Sequence, residues 1–248
     1  MGEIYRNPPK SARLGRIIVA LIRLLKVNRV APQTILLQFE RPKKYRFEAG
    51  QYSYIELLEK RYPDYDHHRR VLSFASSPYD ATIDFLVRWR KSGFKRELFE
   101  LTPGDRVRLY DPIGSFSFTP NQTNICLIGG IGIAPIISLI RSAKSLPTVQ
   151  IVWSNQTEID TPWIPEARQA LNTPRINLRL LVTRHPSPTP PLEPSRITAE
   201  WLSQNKLITP LATYLLCGSP SLVSDCSDML TSVDIPLSQI KIEAFTGY

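Results

Sequence analysis

The chain has 248 residues, of which 42% are hydrophobic and 21% are charged, and its formal net charge at pH 7 is +9. The composition is that of an ordinary soluble globular protein, and the length suits two compact domains or one large one. The positive charge favours acidic partners, but the basic residues are scattered and no nucleic-acid-binding motif accompanies them, so we expect no nucleic-acid partner.

The N-terminus is basic and apolar: Arg13 and Arg16 precede the apolar run 17–25. Arg23 interrupts this run, no small-residue cleavage site follows it, and about 20 apolar residues would be needed to cross a bilayer. We therefore expect neither secretion nor a membrane span. Residues 1–21 are interpreted as an extension that packs on the first domain as an extra helix or strand. An amphipathic segment that makes peripheral membrane contact is the alternative.

Short β-rich runs separated by turn signals follow, from about residue 22 to residue 118. Six antiparallel strands with such connections predict a small barrel over residues 22–120. The strand candidates are 24–29, 34–40, 51–57, 71–76, 83–88 and 106–109.

Strands alternate with helices in the second half, which predicts a parallel sheet with helices on both faces over residues 121–248. A boundary at 119–124 separates the halves, and the proline-rich stretch 186–194 is predicted to be a loop. The further candidates are a strand at 125–129 and a helix at 135–143, then 149–153, 165–171, 178–183, 199–205, 214–217, 221–230 and 240–245.

The three cysteines are Cys126, Cys217 and Cys226, and they form no Cys-x-x-Cys pair. Their odd number argues against a complete disulfide framework. An ordinary plant-type iron–sulfur cluster needs four thiolates, so this chain cannot hold one by itself. The sequence predicts a protein of a reducing compartment, the cytoplasm, without a metal site.

The strongest local signal is the glycine-rich turn at 129–132, between the predicted strand and helix. Glycines allow a pyrophosphate to approach the backbone, and the helix start supplies amide donors and a favourable dipole. Taken alone, such a turn can equally be a tight connection. The later strand end at Cys217 and Gly218 reaches the same carboxyl edge of the sheet, where open α/β sheets bind ligands, and it favours a binding site.

Two basic strings in the first half could bind phosphate. Arg70 precedes Ser73 by three residues, so a guanidinium could meet a phosphate while a hydroxyl meets a ring nitrogen. Gly93 lies just before the helical pattern 96–101, and Lys95 could be the counter-charge of a second pyrophosphate there. An exposed strand arginine and a solvated basic helix cap are the alternatives.

Taken together, seven short strings resemble, in order and spacing, those of the ferredoxin–NADP reductase superfamily over residues 22–248. They are Phe47-x-x-Gly50-Gln51-Tyr52, Arg70-x-x-Ser73, Ser92-Gly93, Asp111-Pro112-x-Gly114-x-Phe116, Gly129-Gly130-x-Gly132-x-Ala134-Pro135, Cys217-Gly218-x-Pro220 and Glu243-x-Phe245. The resemblance implies an FAD-binding antiparallel barrel followed by an NAD(P)-binding domain, with the flavin at their interface.

The resemblance also implies roles for individual residues. Ser73 would bond the flavin nitrogen that accepts hydride, Glu243 would be a second polar group near the reacting atoms, and Phe245 or Tyr248 would cover the flavin ring. The FAD-binding residues would be Arg70, Val71, Leu72, Ser73, Val87, Arg88, Gly93, Phe94 and Lys95. Those for the nicotinamide nucleotide would be Gly130, Gly132, Ile133, Ala134, Pro135, Cys217 and Gly218, with Cys217 beside the nicotinamide.

One position departs from the superfamily pattern. The residue before the serine is usually aromatic, whereas this chain has Leu72. Leucine offers the flavin neither an aromatic face nor a phenol, which bears on flavin affinity and potential.

The function implied by the resemblance is that of a flavin-dependent oxidoreductase. It would take a hydride from NAD(P)H and pass electrons to a separate acceptor, a protein or a small molecule, with an acidic acceptor favoured by the net charge. The stretch 154–158 contains one acid and no arginine, which favours NADH, although Arg184 could bind a 2′-phosphate instead. A non-enzymatic electron-transfer or regulatory subunit of a larger complex is the alternative.

Overall fold

The computed structural model describes residues 20–58, 61–62, 69–162, 171–184 and 192–245. Their strands form two six-stranded sheets, one in each half of the chain. Among these residues, no helix is long and apolar enough to cross a membrane.

The first sheet is antiparallel throughout and has the order β4-β3-β6-β1-β2-β5. An isolated antiparallel bridge between Phe74 and Phe85 connects the chain just after β4 to β5, so the two ends of this order meet and the sheet closes. The predicted small barrel is confirmed. Its strands are β1 (Ala20–Ala31), β2 (Thr34–Glu40), β3 (Tyr52–Leu57), β4 (Arg69–Ser73), β5 (Thr82–Arg88) and β6 (Arg106–Leu109).

Strand β1 contains the second half of the apolar N-terminal run. Ile22 and Leu24 lie in the barrel core, whereas Leu21 and Arg23 are exposed, so the run alternates with the period of a strand. Its start pairs with β6 from Ala20 onward, two residues before the predicted barrel. Residues 1–19 lie outside the described part, so peripheral membrane contact, the cytoplasmic location and the domain bounds stay predictions.

The second sheet is parallel throughout and has the order β10-β9-β8-β7-β11-β12. Its strands are β7 (Thr123–Gly129), β8 (Val149–Asn155), β9 (Ile176–Val182), β10 (Leu192–Glu193), β11 (Ala212–Gly218) and β12 (Ile240–Ala244). The helices are α1 (Gly93–Glu100) in the first half and α2 (Ile133–Ser142), α3 (Ala199–Gln204) and α4 (Pro220–Ser232) in the second.

Helices cover both faces of the parallel sheet, as predicted. The core on one face contains Ile136 and Ile137 of α2, and the core on the other contains Leu202 of α3 and Leu230 of α4. The central strands are buried on their two faces, so both cores consist of apolar side chains.

Three element bounds differ from the predictions for identifiable reasons. Helix α2 begins at Ile133 rather than Pro135. The backbone N–H groups of the first helical turn have no partner within the helix, so proline, which lacks this group, is tolerated as the third residue. Helix α1 begins at Gly93 rather than Arg96, since Ser92 caps it by accepting a hydrogen bond from the Lys95 amide. The prediction of a loop over 186–194 is wrong in part, because Leu192–Glu193 form strand β10, which pairs in parallel with β9. The predicted helix 165–171, except residue 171, lies outside the described residues.

Two polar contacts fix the barrel against α2 of the second half. The Ser138 hydroxyl donates to the Ser76 carbonyl oxygen at 2.6 Å, and Arg141 forms an ion pair with Asp80 at 3.0 Å. Gly50 has φ +81°, and a side chain there would collide with the Phe116 carbonyl and come within 3.3 Å of Leu139 of α2. The two halves therefore meet along a tight junction, and a cleft opens beside it.

Candidate functional site

The cleft between the barrel and the parallel sheet has a volume of about 1050 Å³. The barrel contributes strands β3 and β4, the end of β5 and the start of α1. The second half contributes the start of α2, one side of α4 and strand β12. A cleft of this size can hold a large cofactor.

Three cations converge at the barrel end of the cleft: Arg70, Arg90 and Lys95. Lys95 is 7% exposed, and burial, followed by the charges of Arg90 and Arg70, lowers its pKa to about 8. The Arg70 guanidinium lies over the ring of the buried Phe94, 5.6 Å from its centre. Arg70 and Arg90 are half-buried, and three positive charges gathered around the buried Lys95 favour an anion, so the cluster fits a phosphate group.

Ser73 of the barrel and Glu243 of β12 meet in the middle of the cleft, where the Ser73 hydroxyl donates a hydrogen bond to Glu243 Oε1. Glu243 is 8% exposed, and burial raises its pKa to about 7, although the bond from Ser73 opposes this shift. Its second oxygen, Oε2, is buried and has no hydrogen-bond partner in the described part of the chain. The carboxyl can therefore gain or lose a proton near neutral pH.

Two strand ends meet at the opposite side of the cleft. Gly132 is the last residue of the glycine turn 129–132, which follows β7. A side chain on it would collide with the Cys217 carbonyl oxygen at the end of β11, so only glycine fits. Gly130 has φ +53° and Gly218 has φ +151°. Helix α2 starts here without a side-chain cap, although the Ile133 amide donates to the Ile131 carbonyl and Pro135 has no N–H. The positive end of the helix dipole therefore faces this place.

Arg88, the last residue of β5, reaches from the barrel to this glycine turn. Its Nη2 forms an ion pair with Asp160 Oδ1 at 2.9 Å, and the two side chains are 13% and 21% exposed. Its Nη1 lies 2.9 Å from the place where a Cβ on Gly130 would be. The guanidinium therefore lies directly on the turn.

The comparisons with known proteins point to one superfamily. No protein-family model matches the chain. It is 24% identical over 252 residues to the reductase component of propane 2-monooxygenase from Mycolicibacterium smegmatis, with 94% of this chain and 70% of that protein covered. It is 26% identical over 219 residues to the ferredoxin–NAD(P)(+) reductase component of the naphthalene 1,2-dioxygenase/salicylate 5-hydroxylase systems of Ralstonia sp, covering 84% of this chain and 63% of that protein.

Solved structures agree on the fold. A ferredoxin NADP+ reductase from Neisseria gonorrhoeae, solved with bound FAD and NADP, has a TM-score of 0.77 and 23% identity, and the match covers 91% of this chain and 98% of that one. The chain has the fold of the ferredoxin–NADP reductase superfamily, and the relatives that it resembles in sequence are reductase components. The barrel and the parallel sheet described above are the two domains of that superfamily's fold.

Nine of the nineteen site residues predicted from the superfamily resemblance line the cleft. From the first half these are Arg70, Val71, Leu72, Ser73, Arg88 and Lys95, and from the second half Ala134, Glu243 and Phe245. Leu72 is 6% exposed and also packs in the barrel core, so an apolar side chain forms the wall where the superfamily usually has an aromatic one. The N–H of Phe245 donates to the Gly218 carbonyl at 2.9 Å, and this bond holds the end of β12 beside the glycine turn.

Other predicted residues do not present their side chains to the cleft. Those of Val87, Phe94, Ile133 and Cys217 have no exposed surface, and Pro135 is buried as well. The Cys217 thiol faces the core on the α2 side, and burial raises its pKa well above the ordinary value, so it is a neutral thiol that does not line the cleft. A place for Cys217 beside the nicotinamide stays a prediction, and Tyr248 lies outside the described residues.

Sequence reasoning missed several cleft residues. Tyr52 and Tyr54 lie on the outer face of β3, which a strand alternating in burial could have indicated. Arg69 lies between the rings of Tyr54 and Tyr110, with its guanidinium carbon 4.7 Å and 5.0 Å from their centres. Asp160 carried no signal, because its partner Arg88 is distant in sequence.

Proposed function

We propose that this protein is a member of the superfamily whose fold it has, an FAD-dependent oxidoreductase that takes a hydride from NAD(P)H and passes electrons to a separate acceptor. The observation that carries the proposal is the Ser73–Glu243 contact in one cleft, between a cation cluster on one side and a glycine turn on the other. Relatives that are named as reductase components of oxygenase systems support it. Because the chain spans 70% and 63% of two such relatives, its partners are part of the proposal.

The cation cluster fits the pyrophosphate of FAD. Arg70, Arg90 and Lys95 together offset the two negative charges that a pyrophosphate brings, and Ser92 positions the start of α1 beside them. When bound, FAD supplies the redox chemistry, accepting a hydride and releasing electrons. Noncovalent binding is expected.

The glycine turn fits a nicotinamide nucleotide. Gly130 and Gly132 leave the backbone bare, and the positive end of the α2 dipole favours a phosphate beside them. The turn and the Ser73–Glu243 contact face one cleft, so these residues orient the two reactants towards each other.

Ser73 and Glu243 control protons at the centre of the cleft. With its proton on, Glu243 is neutral and can donate a hydrogen bond through Oε2, and with its proton off it accepts one from Ser73 at Oε1. Their burial keeps water away from this place. An acceptor can approach the rim of the cleft along Val71 and Ile242, which are 38% and 41% exposed.

The visible spectrum of the purified protein tests this function. We expect a yellow protein with a flavin absorbance that anaerobic NADH or NADPH bleaches, and steady reduction of an artificial dye by either nucleotide. A non-enzymatic subunit would bind flavin without turning over. A colourless protein that takes up no FAD would contradict the proposal.

Nucleotide preference makes a second prediction. We expect a higher catalytic efficiency with NADH than with NADPH, because the loop after β8 offers an acid, Glu158, at the place that usually selects between the two. Arg184 lies beside this loop, since its backbone N–H donates to the Gln156 carbonyl at 2.8 Å. The Arg184→Ala variant should therefore lose what NADPH activity exists and keep its NADH activity. A clear preference of the unmodified protein for NADPH would contradict the prediction.

A further inference from the structure

The ion pair of Arg88 and Asp160 links the two domains at the glycine turn. Asp160 lies in the loop after β8, and both of its oxygens are engaged: Oδ1 with Arg88 Nη2 at 2.9 Å and Oδ2 with the Thr157 hydroxyl at 2.8 Å. These contacts hold the carboxylate in one place. They also give Arg88 a resident counter-ion.

The donors of Arg88 are only partly used. Nε is buried and has no hydrogen-bond partner among the described residues, and Nη1 lies against Gly130. A half-buried guanidinium with an unused buried donor binds an anion strongly. Any phosphate that binds at the glycine turn comes within reach of it.

Asp160 and such a phosphate cannot both be neutralised by one guanidinium. The carboxylate stays within ion-pair distance of Arg88, and the half-buried position limits screening by water and salt. A dianionic pyrophosphate entering beside it meets a fixed negative charge as well as the positive one. The repulsion acts on any nucleotide that carries this group, oxidised or reduced.

We infer that Asp160 sets the affinity for the nicotinamide nucleotide by competing with its phosphates for Arg88. This inference rests on the proposed function and assigns Asp160 as a residue that weakens binding, so that the oxidised nucleotide leaves quickly. It also places the Arg88 guanidinium on the nucleotide side of the cleft, whereas the superfamily resemblance implies the flavin side.

The Asp160→Asn variant of the flavin-loaded protein tests the inference. Asparagine has the same shape, can still accept from Arg88 through its oxygen and can donate to Thr157, so only the charge is lost. We expect dissociation constants for ADP-ribose and NAD+, measured by isothermal titration calorimetry, to fall about tenfold or more. ADP-ribose contains the pyrophosphate without the nicotinamide, so an equal gain for both ligands locates the effect at the phosphates. In turnover, KM for the nucleotide and kcat should fall together.

Two further variants serve as controls. Asp225→Asn removes the same charge from an exposed residue of α4 that does not line the cleft, and its affinities should change less than about twofold. In an Arg88→Gln background, Asp160→Asn should lose most of its gain, because the contested group is gone. If the asparagine variant loses its flavin or its native circular dichroism, Asp160→Ser is measured in its place.

Unchanged or weaker ADP-ribose binding in the Asp160 variant would overturn the inference, and so would an equal gain with and without Arg88. Failure of the proposed function has a different signature: the unmodified protein would then bind neither FAD nor NAD+.

Discussion

The Arg70→Ala variant should lose its flavin on a desalting column. Arg70 is one of three cations that converge at one end of the cleft, and its loss removes a charge-assisted contact with the pyrophosphate. Such a contact contributes about 1.5–3 kcal/mol, which corresponds to roughly a 10- to 150-fold weaker affinity. The ratio of flavin absorbance to protein absorbance after desalting measures the loss.

A matched control lies on the same side of the barrel. Arg96 follows the buried Lys95 on α1, but its side chain is 61% exposed and pairs with Glu100 at 3.3 Å. Arg96→Ala removes the same charge outside the cleft and should retain its flavin. If Arg70→Ala retains as much flavin as Arg96→Ala, the assignment of Arg70 to the FAD phosphates is wrong.

The Glu243→Gln variant should be more stable than the unmodified protein at pH 8 and about equally stable at pH 4.5. Burial raises the pKa of Glu243 from 4.5 to about 7. Between these values the folded state binds more protons than the unfolded state, so the free energy of unfolding falls as pH rises, and the loss is complete above about pH 7. The difference in pKa corresponds to about 3 kcal/mol, and glutamine avoids this loss because it carries no charge.

Urea unfolding at pH 4.5 and at pH 8 measures the effect. Glutamine keeps an oxygen that can accept from Ser73, so a loss of the hydrogen bond does not confuse the result. Glu56 provides a control of opposite sign, since hydrogen bonds from Tyr110 and Arg108 lower its pKa and make its charge favourable. A Glu243→Gln variant with the same pH dependence as the unmodified protein would show that burial does not raise the pKa of Glu243.

Local patterns were enough to predict the architecture. Alternating burial along β1 and β3, and a strand followed by glycines and a helix at 125–142, are properties of neighbouring residues, so the sequence displays them directly. The change from clustered strands to alternating strands and helices indicated the barrel and the parallel sheet. The bounds moved where a cap or a proline acted within one turn, as at Ser92 and Pro135.

Only the tertiary structure could decide the direction of some side chains. Strand β11 is buried along its whole length, so its sequence shows no alternation that would tell which face Cys217 occupies. The fold places its thiol in the core on the α2 side. The burial of Lys95 could not be predicted from the sequence either, because a lysine at a helix start is usually solvated. Its burial follows from the packing of α1 against the barrel.

By itself, the sequence determined the order of the elements and the kinds of residue at the two ends of the cleft where we propose that phosphates bind. The tertiary structure decided which distant residues meet. Ser73 and Glu243 are 170 positions apart, and they touch because the packing of the two domains brings the end of β4 against β12. Arg88 finds Asp160 only because the end of β5 reaches the loop after β8. The periodicity of a strand fixes which way a side chain points from its own backbone, whereas contacts between domains depend on sheet order and domain packing, which no local pattern encodes.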